Sequence, residues 1–96
     1  MGFFSDLFKA DPEVDFQMAI KEETFKRNYD KAAWLYQKAV DNGHVKAKYF
    51  LSQMYFEGRG VNKDYNNGLR LLIESADSGY DKAKLLLADV ENGKFK

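Results

Sequence analysis

The sequence predicts an all-α fold made of stacked helix pairs, and three observations carry that prediction. Sliding Asn28–Ser52 onto Asp64–Ala88, a shift of 36 residues, gives eight identities in 25 positions without a gap. They are Tyr29/Tyr65, Leu35/Leu71, Asp41/Asp77, Gly43/Gly79, Lys46/Lys82, Ala47/Ala83, Lys48/Lys84 and Leu51/Leu87. Self-similarity at a period of this size marks stacked supersecondary units. Glycines recur where helical periodicity breaks, and small residues (Ala32, Ala39, Ala47, Ala76, Ala83) recur within the apolar stripes. Small residues let neighbouring helices approach closely, as stacked helix pairs require.

The first helix is expected from about Pro12 to Phe25, with Asp11 as N-cap and Pro12, the only proline, in the first turn. Val14, Phe16, Met18, Ala19 and Ile20 give it a broad, imperfectly periodic apolar face. The second starts near Asn28 or Asp30 and ends at Gly43; Ala32, Leu35, Tyr36, Ala39 and Val40 form its stripe. Gly43 is placed to stop it as a left-handed cap. The third runs from Val45 to Glu57 on Ala47, Leu51, Met54 and Tyr55, flanked by Phe50. Gly58-Arg59-Gly60 ends it, and Val61 is expected to tuck beneath the loop. Asp64 caps the fourth helix, whose stripe is Gly68, Leu71, Leu72, Ser75 and Ala76, and Gly79 stops it. The fifth, from about Tyr80 to Asn92, uses Ala83, Leu86, Leu87 and Val90.

Ninety-six residues suffice for one domain, not two. We divide the chain into an N-terminal cap segment (1–10), a degenerate first helix (11–27), a repeat (28–63), and a second repeat with the C-terminal helix (64–96). Fifteen basic and fifteen acidic residues cancel, so no global field draws nucleic acid or anionic lipid. The absence of cysteine removes disulfides, thiol nucleophiles and thiolate metal sites. No stretch reaches the roughly 20 apolar residues needed to span a bilayer. The N-terminus lacks the pattern of a secretory signal. Met1-Gly2-Phe3-Phe4-Ser5 resembles a myristoylation start, but Asp6 stands where that motif has Ser or Thr. The expected location is cytoplasmic.

Tyr55-Phe56-Glu57-Gly58-Arg59-Gly60-Val61-Asn62-Lys63-Asp64-Tyr65 resembles the loop of the Sel-one-like repeats, relatives of the tetratricopeptide repeats. Lys31-Ala32, Leu35-Tyr36, Lys38-Ala39-Val40, Gly43, Ala47 and Leu51 fall at further positions of that family. The likeness covers roughly residues 28 to 92. Departures are Asn67-Gly68 for Lys-Ala, Leu35 and Leu71 for Trp, and Ser52 and Ala88 for Gly. One more period back sets Met18 on Met54, Ile20 on Phe56, Phe25 on Val61 and Asn28 on Asp64. The N-terminal helix therefore reads as a degenerate repeat that has lost the double glycine and carries Asp15 where the stripe expects leucine. The resemblance implies a short right-handed α-solenoid of about 2.5 helix-pair repeats: roughly five helices plus a short N-terminal segment.

Nothing in the chain points to an enzyme. Gly58-x-Gly60 lacks the third glycine, preceding strand and Gly-Lys-Ser/Thr of a phosphate loop, so it reads as a turn. His44, the sole histidine, follows a helix-stopping glycine and reads as a boundary residue. Asp11, Glu13 and Asp15 sit where a helix dipole favours acids; Glu22 and Glu23 read as a solvated face. No metal or cofactor is expected.

The stronger functional signal is residue type against helix face. With Leu51 at the centre of the buried stripe, 100° per residue sets Lys46, Tyr49, Gln53 and Phe56 on the opposite, wet side. The resemblance implies that these positions line a concave groove. Glu13, Gln17 and Ile20 match them on the first helix, and Lys82, Leu85, Asp89 and Asn92 on the last. Aromatic anchors ringed by polar groups suit a protein or peptide partner. Trp34, with Ile73, marks a second, convex patch. Phe3, Phe4, Leu7 and Phe8 form an apolar cluster read as a cap, with a membrane-surface anchor or docking into another copy as alternatives. The function expected is a protein-interaction module, an adaptor or regulator. An inhibitor or immunity-type protein, or a self-assembling one joined through those phenylalanines or the C-terminal helix (Leu85, Val90, Phe95), is the alternative.

Overall fold

The computed structural model describes residues 11–94. Within them lie five α-helices: α1 Pro12–Lys21, α2 Tyr29–Asp41, α3 Val45–Glu57, α4 Tyr65–Asp77 and α5 Asp81–Glu91. The phenylalanine-rich cluster of residues 3–8 and Phe95 lie outside the described residues.

Side-chain caps set most of the helix starts. Asp11 Oδ1 accepts from the N–H of Glu13 (3.0 Å), Asn28 Oδ1 from Lys31 (3.4 Å) and Asp64 Oδ1 from Asn67 (3.1 Å). Gly43 and Gly79 take the left-handed conformation expected after α2 and α4. α1 has no such stop. It widens into a π-helical turn, Glu22–Lys26, and turns on Arg27, which sits in the left-handed region at φ 53°.

Each helix packs mainly on its neighbours in the chain, and the array measures 51 × 29 × 20 Å. One core gathers Phe16, Ala19, Ala32, Leu35, Tyr36, Ala39, Ala47, Leu51, Met54 and Leu71. A second gathers Phe56, Leu72, Ala76 and Ala83, with Tyr49, Leu86, Leu87 and Val90 half-buried against it. All five small residues singled out in the stripes are buried. Ser75, also buried, donates its hydroxyl to the Val45 carbonyl at 3.0 Å and ties α4 to the start of α3.

The loop from Gly58 to Lys63 folds back on α2. Gly60 is required there: its φ is +74°, and a Cβ would fall on the Tyr29 carbonyl. Val61 is half-buried on the first core, as expected. Arg59 lies over the Tyr29 ring, 5.0 Å from its centroid, and reaches Glu23 and Glu57 at 3.5 Å each. Glu23 also accepts the Tyr36 hydroxyl at 2.7 Å. The loop is thereby bonded to the π-turn of α1.

Three expectations fail. Glu22 is not on a solvated face: it is 5% exposed, and its carboxylate lies 3.2 Å from the Lys26 ammonium and 3.8 Å from that of Lys31, which offset the cost of burying its charge. Phe56 is not on a wet face: it is 6% exposed and packs in the second core. Its ring fills a slot opened by Gly68, where an added Cβ would stand 2.9 Å from two ring carbons. A helical wheel centred on Leu51 assumes one covered side, whereas α3 is covered by α2 and α4 together. Met18 does not take the place of Met54: it is 43% exposed against 1%. Phe16 and Ala19 face the core instead, and the π-turn accommodates the change in register.

Candidate interaction surface

Covered on two sides, α3 leaves an open strip. Lys46 is exposed, Gln53 and Tyr49 are half-buried, and Phe50 flanks them. A row of aromatic rings runs beneath this strip from α1 to the start of α5. Phe16 meets Phe50 edge-on at 5.2 Å, Phe50 meets Tyr49 at 5.6 Å, and Tyr49 meets Tyr80 at 5.3 Å. Tyr36 joins the row 5.6 Å from Phe50. Edge-to-face pairs of this kind hold the rings in fixed orientation. Burial, then the Tyr80 hydroxyl, pushes the Tyr49 phenol up from its ordinary value.

At the α1 end the surface is polar. Glu13 accepts from Gln17 Nε2 at 2.8 Å and contacts His44 Nε2 at 2.7 Å. His44 Nδ1 accepts the Ala47 N–H at 3.1 Å, so the ring itself caps α3. With Nδ1 an acceptor, Nε2 carries the proton and donates to Glu13. The imidazole also stacks on Phe16, 4.3 Å between centroids. The Gln17 bond first, then His44 and the charge of Lys46, hold the Glu13 carboxyl below its usual range. His44 is a boundary residue, and its boundary role is specific.

The other expected site residues fall in three groups. Gln17 and Lys82 are exposed, and Leu85, 69% exposed on α5, is the most open leucine of the described chain. Ile20 is half-buried against the first core. Phe56 is enclosed and belongs to the scaffold. Phe50 and Tyr80 were missed as surface aromatics; the 36-residue period, which sets Tyr80 on His44, was the available signal for the second.

Trp34 is 58% exposed, with the Lys38 ammonium 4.8 Å from its ring centre. It edges an open, largely apolar hollow of about 300 Å³ with Ala33, Gln37, Leu51, Tyr55 and Val61. Ile73 is exposed on α4. Among the described residues, no group of three His, Asp or Glu side chains could hold a metal ion. No described helix is long and apolar enough to cross a membrane.

The Sel1 repeat family model matches residues 24–44 and 45–80, together more than half of the chain. A helical array with a glycine-bearing inter-repeat loop is the class of protein that this fold defines. The chain belongs to the Sel1 repeat family. No curated protein and no solved structure matches it.

Proposed function

We propose that this chain is a non-enzymatic protein-interaction module, an adaptor or regulator, that holds a peptide or protein segment on the open face of α3. Sel1 repeats generally mediate protein–protein interaction. The observation that carries the reading here is the strip of Tyr49, Lys46 and Gln53 over an aromatic floor. Gln17 and Ile20 bound it on α1, and Lys82 and Leu85 on α5. Half-buried aromatic edges supply apolar contact without a large entropy cost, and the polar rim sets orientation. Phe56 acts beneath this face as support. Trp34 beside its hollow, with Ile73 exposed separately on α4, offers a second surface that a larger partner can also engage. An inhibitor or immunity-type protein, which covers one cognate partner, is the narrower form of the same reading.

The test is capture from native lysate by wild type, by Tyr49→Ala/Lys46→Glu and by Trp34→Ala, each checked for helicity by circular dichroism. A protein held by wild type and Trp34→Ala, but lost from the double variant, supports the α3 face. Loss only from Trp34→Ala moves the surface to the Trp34 side. Equal binding to all three, or to none, counts against the reading.

A further inference from the structure

The outer face of α5 has a charge order that a lone helix does not favour. Apart from Asp81, its early charges are Lys82 and Lys84, and its late charges are Asp89 and Glu91. The helix macrodipole favours acids early and bases late. All four side chains are exposed, and none is in an ion pair among the described residues. Between them lies a short apolar seam, Leu85 and Ala88, with the exposed polar residues Asp81 and Asn92 at its two ends. At 100° per residue, Leu85 and Ala88 stand opposite the inward-facing Ala83 and Val90, and both are exposed. Lys84 and Glu91 flank the seam on one side, Lys82 and Asp89 on the other.

One repeat earlier the two seam positions are more covered, although Lys46, the counterpart of Lys82, is exposed. Ser52, the counterpart of Ala88, is buried, and Tyr49, the counterpart of Leu85, is half-buried against Tyr80. α5 thus leaves bare, at Leu85 and Ala88, the edge that α3 turns toward Gly68 and Tyr80 through Ser52 and Tyr49.

We propose that α5 pairs antiparallel with α5 of a second copy of this chain. A two-fold axis near residues 86 and 87 sets Leu85 of each copy against Ala88 of the other. On one flank Lys84 then meets Glu91 of the second copy; on the other Lys82 meets Asp89. Every misplaced charge gains an opposite one, and each helix end lies beside a dipole of opposite sense. The contact is self-complementary, as a two-fold interface must be. Pairing covers Leu85 and Lys82, the α5 edge of the proposed partner strip, but leaves Tyr49, Lys46 and Gln53 at its centre open; the inference does not rest on that reading, and the two exclude each other only at this edge. A seam one helix long buries less than a standard interface, so the dimer is weak, with a dissociation constant on the order of 0.1 mM.

Sedimentation equilibrium across a concentration series tests it. Wild type is expected to shift from the 11.1 kDa chain mass toward twice that value. Leu85→Ser should weaken association by about tenfold or more, while Tyr49→Ala leaves it unchanged. Lys82→Glu/Lys84→Glu and Asp89→Lys/Glu91→Lys should each be monomeric alone and associate when mixed. Circular dichroism confirms that each variant is helical; the first suits the helix dipole better than wild type does. A wild-type mass constant up to millimolar concentration overturns the proposal. Dimerisation that survives Leu85→Ser, or swapped-charge variants that fail to associate on mixing, overturns the antiparallel α5 contact.

Discussion

The junction of α1 with α2–α3 and the junction of α3 with α4–α5 use the same positions for different chemistry. Glu13 and His44 in the first become Tyr49 and Tyr80, 36 residues on, in the second. A hydrogen-bonded pair at 2.7 Å is replaced by two rings at 5.3 Å. Ile20 and Ala32 likewise become Phe56 and Gly68, so the helix that gains a ring faces one that gives up its methyl group. Both exchanges alter two partners together. The period fixes where contacts occur, while the contacts themselves hold only as matched pairs.

The largest effect should come from emptying the matched slot. Phe56→Ala is expected to cost about 3–5 kcal/mol, and Ile20→Ala, at a half-buried site, clearly less. Urea unfolding of both variants measures the difference. Comparable costs would break the asymmetry between the junctions.

Gly68→Ala should follow at about 1–3 kcal/mol, because the new methyl group meets the Phe56 ring. Adding Phe56→Ile recreates the Ile20/Ala32 pair of the first junction and should recover a large part of that loss. A double-mutant cycle with no coupling would show that the two positions are independent.

The Glu13 and Tyr49 contacts should also respond to pH in opposite ranges. Glu13 is held below its ordinary 4.5, so its contribution is present above that value and lost as pH falls through the depressed one. Tyr49 is held above its ordinary 10.0, so its contribution is present below that value and lost as pH rises through the raised one. Glu13→Gln should flatten the acid limb of the stability curve, and Tyr49→Phe should remove only the smaller share of the alkaline limb, because burial and then Glu23 raise the Tyr36 phenol further. Unfolding midpoints measured across both ranges check the pairing.

The smallest effect concerns the turns. The second junction turns on Gly58 and Gly60, the first on Arg27 at φ 53°. Arg27→Gly should gain a few tenths to about 1 kcal/mol, since a left-handed non-glycine residue is strained but glycine is more disordered when unfolded. A melting-temperature rise of a few degrees would register it.

Much of the fold was legible because its signals are local. Asp11, Asn28 and Asp64 cap the helices they precede, Gly43 and Gly79 stop the ones they follow, and the buried alanines lie where the stripes set them. The site was less legible because exposure depends on neighbours. Phe56 read as an outward aromatic on α3 alone; glycine at position 68, in place of an alanine, was the sign of a ring beside it. The role of His44 was hidden for the same reason, since its partner Glu13 lies 31 residues away. The π-turn over Glu22–Lys26 follows from no pattern of Glu-Glu-Thr-Phe-Lys that periodicity can read.

α5 packs chiefly on α4 and keeps only Ala83 buried. In a one-dimensional stack, each unit is held by its nearest neighbours, so a helix packed chiefly on one neighbour opens at lower free energy than one held on both sides. Its amide hydrogens should exchange with solvent deuterium well before those of α2 and α3, which lie between neighbours on both sides. Opening there leaves the Phe16–Tyr36–Leu51 core intact, so the chain can melt from one end without passing through the globally unfolded state.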